Sequence, residues 1–217
     1  MYPNLPAHRN DETRNMIKVK GEGSVTSAPD RADVALGVVN EEMDVGTAQQ
    51  ENAEAIRNVI DAVTSLGVPE ENIQTVEYRI DTQYDFIDGE QQFRGYRVTH
   101  MLQITLDDLD LTGQVVDDAV EAGANTISSI TFSISDPASL YNEALELALR
   151  DAKGKAETIA DELGVFVDEP PVTVREISPS TSPVPYQTAL YAKAEGTPIQ
   201  PGTLTILALV ETDYRYN

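Results

Sequence analysis

The stretch Ile17–Val39, IKVKGEGSVTSAPDRADVALGVV, decides the fold. Ile17, Val19 and Gly21 alternate with Lys18, Lys20 and Glu22, a period of two that predicts a short strand. Ser27, Ala28, Pro29 and Asp30 carry turn chemistry. Ala32, Val34, Leu36 and Val38 then alternate with Asp33, Ala35 and Gly37, a second strand with one buried face. Gly21 and Gly23 do not make a dinucleotide loop, because Thr26 stands where a third glycine belongs and a strand follows instead of a helix. Their expected place is a sheet-edge turn or bulge.

Working outward, Asp44 can cap a helix whose stripe runs through Ala48, Ile56, Val59 and Val63 and stops at Gly67. Val76 to Tyr84 and Tyr96 to Leu106 alternate on either side of Asp88-Gly89, the signature of a long antiparallel hairpin. Asp110 can cap a short helix with Leu111, Val115, Val116, Ala119 and Val120 inward, closed by Gly123. Ile130, Phe132 and Ile134 follow as a strand. Asp136-Pro137 opens the longest helix, with Leu140, Ala144, Leu147, Ala148, Ala156, Ile159 and Leu163 on the expected inner face and Gly164 at its end. Val172 and Val174 suggest a sixth strand, and Leu204 to Val210 a last one, apolar on both faces. Residues 178–202 hold five of the twelve prolines and read as a long irregular loop. The fold class is therefore α+β: an antiparallel-rich sheet with two long helices and one short helix packed on it. Residues 1–16 are expected to be a disordered lead-in and 17–215 a single domain.

Composition narrows function by exclusion. The 217 residues include no cysteine, which removes disulfides, thiol catalysis and Cys-based metal sites. A net charge of −22, with only five lysines, argues against nucleic acid or an anionic membrane surface as partner. It fits a solvated acidic surface of the salt-adapted kind, where dissolved ions screen self-repulsion. No apolar run approaches the ~20 residues of a membrane helix, and no apolar leader is visible at the start.

Several phrases, in order, resemble the SIMPL-domain family: VKGEGSVTSAPDRADVALGVV, IQTVEYRIDTQYDF, the block from Gly95-Tyr96-Arg97-Val98 through Ala122-Gly123-Ala124-Asn125 to Asp136-Pro137, ALRDAKGKAETIADELGV, and Ile199, Pro201 and Gly202 before the last strand. Together they cover about residues 17–213. The resemblance implies an α+β fold with no established catalytic residues to carry over. It also implies kinship with bacterial periplasmic proteins linked to oxidative-stress defence, and with an immunogenic periplasmic protein that assembles into large rings. A eukaryotic namesake is associated with kinase signalling. Exported members of the family begin with a signal peptide, so an extracytoplasmic location is what the resemblance implies.

Tests for chemistry point away from catalysis, cofactor and metal. Asp108-x-Asp110-x-Thr112-Gly113 has the look of a calcium loop, but Ala119 occupies the position of the bidentate glutamate, and capping carboxylates are the simpler reading. His8 falls in the lead-in; His100 lies in phase with Val98 and Leu102 and is expected to be a buried or interface histidine with one hydrogen bond. Tyr84, Phe86, Phe93 and Tyr96 gather at the hairpin tip of a chain with only 6% aromatics. They read either as packing across the hairpin or as a protein contact. Tyr186 and Tyr191 in the Pro-rich loop pose the same choice. The first functional expectation is a non-enzymatic protein that self-associates through these residues, a homo-oligomer with a possible protein partner. The second is a monomeric binding module for a small molecule, cation or protein, with residues 178–202 as a lid. The third is a hydrolase built on carboxylate pairs and His100.

Overall fold

The computed structural model describes residues 15–177, the backbone of 184–186, and residues 197–217. The expected lead-in, His8 included, falls outside the described residues except for Asn15 and Met16, and so does Tyr191. The fold is α+β, as the patterning predicts, with its long strands paired antiparallel and two sheets where the sequence suggested one. The chain divides into two compact units.

The first unit gathers β1 (Met16–Ser27), α3 (Pro137–Leu163), β6 (Thr173–Ile177), β7 (Val184–Tyr186) and β8 (Thr203–Arg215). Its sheet runs β1-β8-β6, with β7 also on β8 inside the stretch read as an irregular loop. Gly21 and Gly23 are neither turn nor bulge: they sit inside β1, in register opposite Val210 and Ala208. Their role is to let α3 lie directly on the strand. A methyl group on Gly21 would stand 2.0 Å from the Ala148 carbonyl oxygen, and one on Gly23 would stand 2.1 Å from that of Ala144. The helix answers with a stripe of small residues, Ala144, Ala148, Ala152, Ala156 and Ala160, each at most 2% exposed. Ile159 and Leu163, expected inward, point to solvent instead, because a strand and helix this close leave no room for large side chains between them.

The close approach also brings polar groups of α3 to the free edge of β1. Asp151 Oδ2 accepts from the Glu22 amide at 2.9 Å, and Lys155 Nζ donates to the Lys20 carbonyl at 3.1 Å and to Asp151 at 2.6 Å. Backbone groups that would otherwise stand open for a foreign strand are thus satisfied. The Asp136 side chain accepts from the Ser139 amide at the head of the helix, and Gly164 closes it at φ 69°.

The second unit contains β2 (Arg31–Glu42), α1 (Val45–Ser65), β3 (Ile73–Ile87), β4 (Glu90–Leu106), α2 (Thr112–Glu121) and β5 (Thr126–Ser133). Its sheet order is β3-β4-β2-β5. Register places Val34 opposite Ile104 and Leu36 opposite Leu102, so the apolar residues of β2 and β4 share one face. Val59 and Val63 of α1 and Val115 of α2 close over that face, all fully buried. Each such side chain contributes roughly 1.5–3 kcal/mol. Asp44 caps α1 as expected, accepting from the Thr47 amide at 2.9 Å. Asp110 does not cap α2: Asp108 accepts from the Asp110 amide and starts a tight 3-10 turn, and α2 begins only at Thr112. Val120, expected inward, lies off the stripe of Val115, Val116 and Ala119 and is 49% exposed.

Two asparagines complete the second unit. Asn125 acts as a surrogate strand residue beyond β5: its Oδ1 accepts from the Val39 amide and its Nδ2 donates to the Val39 carbonyl, both at 2.8 Å. Asn52, buried in α1, donates to the Val38 carbonyl at 3.0 Å and to Asn40.

Substituting Gly21→Ala is expected to destabilise the protein by about 3 kcal/mol or more, since backbone on both sides must yield. Gly154→Ala, in the same helix with nothing within 4 Å of the added methyl, is expected to stabilise by about 0.5–1 kcal/mol through helix propensity. Urea unfolding of the two variants measures both signs.

Candidate functional site

Type I′ geometry at the β3–β4 turn brings the tip residues together. Asp88 and Gly89 both have positive φ, 54° and 85°, which matches the twist of the flanking strands. Below the turn, Arg94 is bulged out of β4, so Tyr84 stands opposite Phe93 while Thr82 stands opposite Tyr96. One aromatic chain results: Tyr84 and Phe93 meet edge to face at 5.9 Å between ring centroids, and Phe93 and Tyr96 at 5.2 Å. These separations lie in the favourable range for perpendicular ring pairs.

Local packing accounts for part of this cluster and not for the rest. Phe86 takes no part in the ring chain and is 76% exposed; Tyr84 and Phe93 remain about two-fifths exposed. Tyr186 is described by its backbone alone, in β7.

The base of the tip is held by charge and by one glycine. Glu41 receives Arg94 and Arg97, both of whose guanidinium groups donate to its carboxylate, and this holds its pKa below the usual range. Arg94 also approaches Asp85 at 3.7 Å. Gly95 has φ 152° and lies so close to the end of β2 that a methyl there would be 2.7 Å from the Glu42 carbonyl oxygen. Only glycine allows that crossing.

His100 is half-buried. Its Nε2 pairs with the Thr75 hydroxyl at 3.0 Å, and its ring meets Tyr78 edge-on at 5.2 Å. Burial lowers its pKa and favours the neutral ring. Among the described residues no carboxylate orients the imidazole, so the third group of a nucleophile–base–orienter arrangement is missing. Of the suspected calcium loop, Asp108 caps its own turn; nearby, Asp117 accepts from both the amide and the hydroxyl of Thr197. Among the described residues no group of three or more His, Asp or Glu side chains is placed to hold a metal ion. In the first unit a shallow cleft of about 180 Å³ opens beside Glu157, Asp161 and Phe166. It is smaller than the ~300 Å³ at which ligand pockets begin. Among the described residues no helix is long and apolar enough to cross a membrane.

Sequence reasoning overlooked Asn52, Asn125 and Thr197. The signal for Asn125 was its place directly before β5, where a polar residue beside a new strand can continue the ladder.

Comparison with known proteins finds a family and relatives by sequence. The SIMPL family model, described as a protein of unknown function, matches residues 17–214. The chain is 30% identical over 174 residues to the 26 kDa periplasmic immunogenic protein of Brucella melitensis, covering 78% of this chain and 69% of that protein. It is 27% identical over 179 residues to the uncharacterized protein YggE of Edwardsiella ictaluri, covering 82% of this chain and 74% of that one. To YggE of Escherichia coli K12 it is 28% identical over 145 residues, 67% of this chain and 59% of the relative.

A pH dependence follows from the carboxylates. Asp30, beside the first residue of β2, accepts from the Ser135 hydroxyl and amide, both at 2.7 Å, and these bonds lower its pKa. Its folded-state pKa lies below its unfolded value, so the stability it contributes is complete above about pH 3.9 and is lost as pH falls through the folded value. His100 adds to the same direction from about pH 6.5 downward, because the fold prefers its neutral form. Thermal unfolding of Asp30→Asn against pH is expected to show a shallower acid limb than wild type. Identical limbs would place the Ser135 bonds outside the folding linkage.

Proposed function

The chain belongs to the SIMPL family, and from that premise we propose that it is a non-enzymatic, self-associating protein of the cell envelope. One observation carries the reading: a row of aromatic side chains, headed by Phe86, stands exposed on a hairpin whose turn, bulge and Glu41 ion pairs hold it in one shape. Exposed aromatics on a rigid support anchor protein interfaces, because they bury much area at little entropic cost. A second copy is the economical partner, since every molecule carries the same tip.

An envelope location is supported by the name of the Brucella relative, which is periplasmic. A non-enzymatic role is supported by a His100 with no orienting carboxylate among the described residues and by Asp108 and Asp117 being engaged in a cap and a tether. A part in oxidative-stress defence is what the family resemblance implies; with no cysteine, such a part would run through assembly or partners and not through thiol chemistry. The acidic surface sets the conditions: copies of net charge −22 repel one another in dilute salt and approach when the screening length falls from about 10 Å to about 3 Å near 1 M.

Light scattering across a salt series tests the reading. The expected mass is a multiple of 23.7 kDa that grows with salt, and Phe86→Asp is expected to lower it without moving the melting temperature. A monomer at every salt concentration would overturn the proposal.

A further inference from the structure

We propose that two copies of this chain pair antiparallel through their β3 edges, centred on Thr82; the inference rests on the self-association reading and specifies its contact. Three observations lead there.

The first is that β3 is an end strand of its sheet. Among the described residues no side chain caps its outward amides and carbonyls, whereas the free edge of β1 is covered by Asp151 and Lys155. An uncapped edge of this length is a template for another strand.

The second is regularity. The bulge of β3 lies at Val76, and the bulge lower in the hairpin belongs to β4, so Glu77–Ile87 is an unbroken strand along the free edge.

The third is that this run matches itself when reversed about Thr82. Opposite residues of an antiparallel pair share a face. With Thr82 against Thr82 of the second copy, Ile80 meets Tyr84 and Tyr78 meets Phe86 on the apolar face. Arg79 meets Asp85 and Asp81 meets Gln83 on the polar one. Each pair occurs twice by symmetry. The apolar members are the exposed ones: Tyr78 at 50%, Ile80 at 36%, Tyr84 at 44% and Phe86 at 76%. A slip by one residue sets apolar side chains against polar ones throughout; recentring on Asp81 keeps the faces but sets Glu77 against Asp85 and Arg79 against Gln83, and recentring on Gln83 sets Asp81 against Asp85 and Arg79 against Ile87. Recentring on Ile80 brings the Val76 bulge into the pairing, and recentring on Tyr84 carries Arg79 past the strand end. The match ends at Glu77 opposite Ile87, where the ribbon frays. The resulting interface is a continuous eight-stranded sheet with two crossed Arg79–Asp85 ion pairs.

Cysteine placement and charge reversal test the register. The chain has no cysteine, so Thr82→Cys places one thiol per copy at the two-fold axis, and Glu90→Cys at the hairpin turn serves as the control. Under mild oxidation Thr82→Cys is expected to run mainly as a covalent dimer on a non-reducing gel, with Glu90→Cys mainly monomeric. Arg79→Asp is expected to weaken the dimer about tenfold by facing Asp85 with a like charge, and so is Asp85→Arg by facing Arg79. The double variant, Arg79→Asp with Asp85→Arg, is expected to recover most of the loss. That recovery is specific to pairing between copies, since the exchange breaks the contacts of Arg79 with Glu77 and Asp81 within its own strand. If the wild type exceeds monomer mass while Thr82→Cys cross-links no better than the control, or while the charge exchange does not recover association, the register is overturned and self-association stands. If the wild type is monomeric at all salts, both fall.

Discussion

The contact between the glycines of β1 and the alanine stripe of α3 is the constraint on which the first unit depends. Removing two β-carbons from the strand lets helix backbone come within van der Waals reach of strand backbone. Three consequences follow from that proximity. Only alanine fits along the facing stripe, which pushes Ile159 and Leu163 outward. The helix comes near enough for Asp151 and Lys155 to satisfy the strand edge. And the sheet grows on the other side of β1 only, through β8. The Gly-x-Gly phrase is thus a packing device, and the absence of a following helix in sequence is explained: the helix it serves lies more than a hundred residues downstream.

Local chemistry was legible in the sequence where a residue acts on its neighbours. Asp44, Asp136, Gly164 and the Asp88-Gly89 turn do what capping and turn rules require. The errors arose where the partner is remote. Gly21 looks like a turn residue until Ala148 is placed against it. Ala152 and Ala160 look like propensity, not core, because a hydrophobic stripe is usually sought among large side chains. The division of strands into two sheets, and the surrogate pairing of Asn125 with Val39, are set by contacts across tens of residues that no period reveals.

The candidate surface shows the same division. The aromatic tip was legible as composition, and its ring geometry follows from a bulge at Arg94 that shifts the register by one residue. What alternation could not show is that β3 is an end strand, since strand order is a property of the whole sheet. The two sheet edges then contrast: β1 is closed by its own helix, and β3 carries side chains suited to another strand.

The Asp30–Ser135 clasp has a consequence for how the chain is assembled. It fastens the entrance of the second unit to its exit, so the long excursion between β1 and α3 begins and ends at one point. Once that clasp has formed, Gly21 and Ala148 are joined as though by a loop roughly six times shorter than the sequence between them. Loop-closure entropy grows with the logarithm of length, so the clasp lowers the entropic cost of seating Gly21 on Ala148 by about 1.5 kcal/mol. A pair of hydrogen bonds at the surface thereby turns a remote contact into a near neighbour for the folding chain.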